Sequence, residues 1–250
     1  MMFAKLKRFL GAIPALLSGI ILAPVVLWGA ATEINFEGSG YVDGEAPPAP
    51  WSIDGTGDGL IQSGMGYTGN GLVLDDSADA TYTLPQPLTQ EMGSVKVSVF
   101  IKPQSGSDNF SQHGGIQLFQ PDVAQVSAFF WRYNGNQEIH APESRFAGGT
   151  NIGSWAADVW YELGVSIHED WENVTVSVAE VDGSAFASET FAWGGQDIAG
   201  ITLFRGNVGT TTVYDNFTIV PEPSTYALLS GLLSFGCVLM MRRRARRRST

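Results

Sequence analysis

Cysteine is almost missing from this 250-residue chain: the only one, Cys237, sits in an apolar run near the C-terminus. The rest of the chain can form no disulfide framework, no thiolate nucleophile and no cysteine zinc site. Basic residues are nearly as scarce in the middle. From Thr32 to Val220 there are only Lys96, Lys102, Arg132, Arg145 and Arg205 against 24 carboxylates, a net of −19. Such a body repels phosphate backbones and anionic lipid, so no nucleic-acid partner is expected. A 3.6-residue hydrophobic period is absent from the same span, which excludes a helical bundle. The three histidines, His113, His140 and His168, lack the spacing of a metal site or a catalytic triad. Without staples, a body of roughly 190 residues must hold itself together through its own core, and it is long enough to do so.

What the middle does contain is alternation. Val95, Val97, Val99 and Ile101 alternate with Lys96, Ser98, Phe100 and Lys102. Leu163, Val165 and Ile167 do the same, as do Val174, Val176 and Val178, and Val213, Phe217 and Ile219 around Asp215. Apolar residues at every second position, bounded by Gly, Pro and Asp, predict half-buried strands. Asn134-Gly135 and Asp182-Gly183 tolerate the positive φ of tight hairpin turns. Many short strands with glycine-rich turns predict an all-β, two-sheet antiparallel sandwich. The order of the strands resembles the laminin-G and concanavalin A-like jelly roll. Phe100-Ile101-Lys102-Pro103, Trp160-Tyr161 and Asp215-Asn216-Phe217 are the positions that match best.

Two hydrophobic ends flank this body. Lys5, Lys7 and Arg8 precede the apolar stretch Phe9–Leu27, and Gly29 and Ala31 offer small residues for cleavage. This is the pattern of a secretory signal peptide, residues 1–31, with an uncleaved anchor as the alternative. At the other end, residues 221–250, Pro221-Glu222-Pro223 is followed by 16 uncharged residues, Tyr226–Met241. Six arginines then fall between Arg242 and Arg248. A helix of that length spans about 24 Å, short for a hydrocarbon core of about 30 Å, and the arginines favour the cytoplasmic side. The three parts together resemble the PEP-CTERM sorting signal of Gram-negative bacteria. That resemblance implies export through signal peptidase and the secretion machinery, then a transient inner-membrane intermediate. Recognition of Pro221, Glu222 and Pro223 by an exosortase would follow, with delivery to the cell surface or extracellular matrix, often beside exopolysaccharide and biofilm.

Candidate sites in the body are few. Glycoside hydrolysis needs two carboxylates across a scissile bond. The nearest cluster, His168-Glu169-Asp170-Trp171-Glu172, reads as a solvated turn between two strands, so no catalytic residue is assigned and the chain is expected not to be an enzyme. Asp54-Gly55-Thr56-Gly57-Asp58-Gly59 copies the first half of a calcium loop, but its twelfth position is Met65 rather than glutamate. Asp54 and Asp58, the group Asp75, Asp76 and Asp79, and Asp215 are thus candidate ligands for structural calcium; no cofactor is required. Glycans present apolar C–H faces that stack on aromatic rings. Trp131 and Tyr133, beside Asn134-Gly135 with Asn136 and Gln137 next to it, form the first candidate surface. Trp171, at the tip of a turn, is the second, whereas Trp160 is assigned to the core. The leading expectation is an exported, non-catalytic glycan-binding or adhesive module, with exopolysaccharide as its partner. A purely structural matrix protein and a carbohydrate-active enzyme are the alternatives.

Overall fold

The computed structural model describes residues 31–75, 78–104, 110–120, 123–133, 136–141, 150–183, 186–192, 197–205 and 211–221. Residues 1–30 of the expected signal peptide, Glu222, Pro223, the apolar run and the arginines lie outside this set, as do Asp76, the Asn134-Gly135 pair and the side chains of Trp131 and Tyr133. No helix among the described residues is long and apolar enough to cross a membrane.

Among the described residues fifteen strands follow one another. They are β1 (Thr32–Ile34), β2 (Trp51–Asp54), β3 (Gly59–Gln62), β4 (Gly71–Leu74), β5 (Asp79–Leu88), β6 (Val95–Pro103), β7 (Phe110–Gln120) and β8 (Val123–Tyr133). After them come β9 (Asn136–Ala141), β10 (Thr150–Ser154), β11 (Tyr161–Ile167), β12 (Asn173–Glu180), β13 (Phe186–Ala192), β14 (Ile198–Phe204) and β15 (Thr212–Pro221). A single 3₁₀ turn, Gln90–Met92, interrupts them. One sheet runs β13-β12-β11-β6-β15-β4-β3, with β1 laid against β15 beyond the end of β4; the other runs β10-β9-β8-β7-β14-β5-β2. All pairings are antiparallel.

The predicted alternation is what fills the space between the sheets. Val95, Val97, Val99, Ile101, Leu163, Val165, Ile167, Val174, Val176 and Val178 are all buried in the core. Across from them stand Ile116, Leu118, Ala128, Phe130, Ile201 and Leu203 of the second sheet. An aromatic knot closes one side: Trp51 packs 5.1 Å from Tyr82, 5.4 Å from Phe217 and 6.0 Å from Phe36. Burying such rings contributes the largest apolar area per residue.

The last strand departs from simple alternation. Tyr214 pairs with Ile101 and Ile219 with Val97, so both turn into the core, while Asp215 opposite Phe100 faces outward. Between Asp215 and Thr218 the register slips, with Asn216 at φ 47°. A bulge of this kind adds one residue and flips the facing of all that follow. Phe217 therefore joins the core on the same side as Tyr214, and Val213, Asp215 and Phe217 do not form one face. A second bulge in β7, with Gly114 at φ 112°, brings Gly115 against the tip of Tyr214. A Cβ at Gly114 would lie 2.5 Å from Thr212, so both the φ and the space require glycine.

Tyr214 spans the core from one sheet to the backbone of the other. Its hydroxyl accepts the Gly115 N–H at 2.8 Å and lies 2.6 Å from the Phe204 carbonyl and 3.0 Å from that of Gly115. A phenol has one proton to give, and the nearer Phe204 oxygen takes it.

Candidate functional site

Strand direction gives the sandwich two poles. β15 descends from Thr212 to Pro221, and Val95 of β6, Ile167 of β11 and Thr32 of β1 all register near its lower end. Pro103, Tyr161 and Thr212 mark the upper end. In the second sheet β8 rises to Tyr133 and β9 starts back down from Asn136.

A groove of about 820 Å³, open to solvent, lies toward the upper pole where β9 meets the edge strand β10. Asn136, Gln137, Glu138, Asn151, Ile152, Gly153, Ser154 and Trp155 line it. The lining is rich in amides, hydroxyl and carboxylate, groups that bind vicinal hydroxyls. Asn151 turns its Oδ1 back to accept the Gly153 N–H at 2.9 Å, which supports the bulge in β10. Trp155 is packed underneath, its ring 5.9 Å from Phe130 and 4.9 Å from His113, so it offers the groove only an edge. Behind the groove His140 Nε2 bonds Glu138 Oε2 at 2.8 Å and stacks on Phe129 at 5.9 Å.

The first glycan candidate meets this groove. Asn136 and Gln137 line it, and the β8–β9 ladder sets Trp131 directly opposite Glu138 and Tyr133 opposite Asn136. Glu138, Asn151, Ser154 and Trp155 are further lining residues that no motif in the sequence singles out. β10 is too short and too polar to announce itself by alternation, and only pairing with β9 brings its residues to this place.

Trp171 corrects an expectation. It stands at the turn between β11 and β12 as predicted, but a φ of 55° folds it back under the sheets. Its ring is 1 % exposed and its Nε1 donates to the Gly93 carbonyl at 2.7 Å. A sealed ring cannot stack on a sugar. Trp160 is the opposite correction. Tyr161 opens the inward parity of β11, so its predecessor lies on the outer face, where Trp160 stands 5.9 Å from Tyr67 with Lys102 Nζ 5.0 Å over its ring. Tyr67 also sits 5.2 Å from Phe100 and bonds Asp182 at 2.9 Å, which pins the loop before β4 onto the sheet.

Asp215 serves the same loop. Its carboxylate, buried on the outer face, accepts the N–H of Thr68 at 3.2 Å and of Asn216 at 2.7 Å. Burial pushes its pKa above the ordinary value of 3.8; the N–H donors pull the other way, and Glu37 adds a further push upward. An acid raised by folding binds its proton more tightly in the native state. Its contribution to stability therefore grows as the pH falls through the raised value toward 3.8. Asp170 has the opposite sign. The Glu172 N–H first, with further bonds from Asn173, holds it below 3.8, so its contribution is present above that pH and is lost as the pH falls through its lowered value.

The calcium candidates are spread out. Asp54 ends β2 opposite Asp79, while Asp58 and Asp75 tie two turns together: the Asp58 N–H reaches Asp75 Oδ1 at 3.0 Å and the Asp75 N–H reaches the Asp58 carbonyl at 3.0 Å. Among the described residues no three His, Cys, Asp or Glu side chains gather to hold a metal ion.

No protein-family model and no curated protein sequence matches this chain. Solved structures do. The CBM2 module of the evolved Dit of Lactobacillus casei BL23 phage J-1 superposes with a TM-score of 0.55 at 10 % identity, over 78 % of this chain and 99 % of that one. Peanut lectin gives 0.52 at 9 % identity, over 76 % and 96 %. A conserved carbohydrate esterase from the Shiga toxin-encoding bacteriophage phi24B gives 0.51 at 11 % identity, over 69 % and 90 %. The chain has a lectin-type sandwich fold. At these identities the likeness is one of fold alone, and it agrees with the jelly roll expected from the order of the strands.

Proposed function

We propose that this protein is an exported surface or matrix module that binds glycan without cleaving it. The upper groove between β9 and β10 is the assigned site, with Asn136, Gln137, Glu138, Asn151 and Ser154 as hydroxyl-binding groups and Trp131 and Tyr133 as stacking residues. The observation that carries the reading is this amide- and carboxylate-lined groove beside the Trp131–Glu138 and Tyr133–Asn136 register, on a fold shared with a lectin and a carbohydrate esterase. Function resides in the site rather than the fold, so the test addresses the groove. The protein is expected to be retained on exopolysaccharide from its own host. Trp131→Ala and Gln137→Ala should each weaken retention about tenfold, the loss of one stacking or hydrogen-bonding contact of roughly 1.4 kcal/mol, with an unchanged unfolding midpoint. Failure of the unaltered protein to be retained sinks the glycan reading. Release of sugar products from that polysaccharide would move the assignment to an enzyme.

Export is assigned to the two flanking segments: residues 1–31 as a signal peptide and Pro221-Glu222-Pro223 with its apolar run and arginines as an exosortase tag. Cells carrying the intact chain should release or display a product whose mass lacks both ends. Replacing Pro221-Glu222-Pro223 by alanines should leave a membrane-bound form that keeps its C-terminus. Full-length product from the intact chain would sink the sorting reading.

A further inference from the structure

The two ends of the sandwich have different neighbours. Thr32 pairs with Ile219 and Pro221 with Val95, so the chain enters and leaves the fold at the same, lower pole. Both hydrophobic segments of the sequence therefore attach there. Only four residues, Glu222 to Thr225, separate Pro221 from the uncharged run Tyr226–Met241. Five Cα steps of extended chain reach at most about 18 Å. The groove is at the other pole. Asn136, Ser154 and Trp155 lie toward the top, and the ten residues of β15 measure the separation at about 30 Å.

We propose that, while the C-terminal run is in the inner membrane, the sandwich stands on its lower pole with the groove turned away from the bilayer. This rests on the assignment of Tyr226–Met241 as a membrane segment. The short tether keeps the lower pole within its own length of the lipid headgroups; at about 18 Å against about 30 Å it excludes a domain inverted onto its upper pole. Charge keeps a gap beneath the domain. Glu33, Glu91, Glu169, Asp170 and Glu172 are all exposed at the lower pole, and the lysine nearest them, Lys96, is paired with Glu162 at 2.7 Å. Carboxylates facing anionic headgroups repel them over a Debye length of about 8 Å at physiological salt. The pole is held off the lipid, which leaves room beneath the domain for a membrane-bound processing enzyme. The groove meanwhile faces polymer arriving from outside.

The full-length chain, carrying Cys237→Ala, can be reconstituted in vesicles of phosphatidylcholine and phosphatidylglycerol. A fluorophore is placed at Glu169→Cys in one sample and at Asn136→Cys in another, and headgroup spin-labelled lipid is the quencher. Quenching at least threefold stronger at position 169 than at 136 is the expected result. Equal quenching, or stronger quenching at 136, in protein that floats with the vesicles overturns the orientation and leaves the membrane segment standing. Protein that fails to float overturns both.

Discussion

Trp171→Ala should cost about 3–5 kcal/mol of stability, as large aromatic truncations in a core do. For a body of this size that lowers the melting temperature by roughly 6–20 °C. Two losses combine. The indole leaves a cavity in the core beside the β11–β12 turn, and the Gly93 carbonyl loses its donor at 2.7 Å. Trp171→Phe should recover most of the packing and none of the hydrogen bond, and so fall between the two. Thermal unfolding of the three proteins decides the matter. A melting temperature within a degree of the parent in Trp171→Ala would mean that the ring is at the surface after all.

Tyr214→Phe should cost about 2–4 kcal/mol although it removes a single oxygen. The substitution keeps the ring and its contacts but takes the hydroxyl away from the Gly115 N–H and the Phe204 carbonyl, both in the buried interior. Each buried polar group without a partner costs about 1–3 kcal/mol. Tyr161→Phe is the matched control. Its hydroxyl accepts only the Ala156 N–H, at 2.8 Å, and Ala156 is exposed, so water replaces the lost partner. Urea unfolding of both variants should place Tyr214→Phe well below Tyr161→Phe. Equal midpoints would show that the bridge between the sheets contributes nothing beyond its ring.

These two residues also mark where the sequence could be read and where it could not. Apolar residues at every second position of β6, β11 and β12 declare a buried face because the pleat has a period of two and the core has one side. The same parity places Trp160 outside, since Tyr161, Leu163, Val165 and Ile167 all turn inward; that signal was present in the sequence and outweighed by the habit of burying tryptophan. Trp171 carried no such signal. Its polar neighbours suit a turn, and only the left-handed backbone at that residue sends the ring inward. Nor does alternation forewarn of the slip at Asn216, because an inserted residue breaks the period it would be read from. The groove is legible in half. Asn136 and Gln137 sit beside a visible hairpin signal, whereas Asn151 and Ser154 arrive through the pairing of β10 with β9, which a local pattern does not encode.

The placement of β15 has a mechanical consequence. Its lower end leads to the C-terminal segment and the groove lies at the far pole, so on the proposed function a pull between bound polymer and anchored tail would run along the strand. β15 is flanked by β6 on one side and by β4 and β1 on the other. Ladder hydrogen bonds lie across the strand direction, so an axial pull loads many of them in shear at once. Unzipping, in which bonds give way one by one, would need a pull across the sheet. A strand in this position is a tension member, and it is the strand that leads directly to the tail.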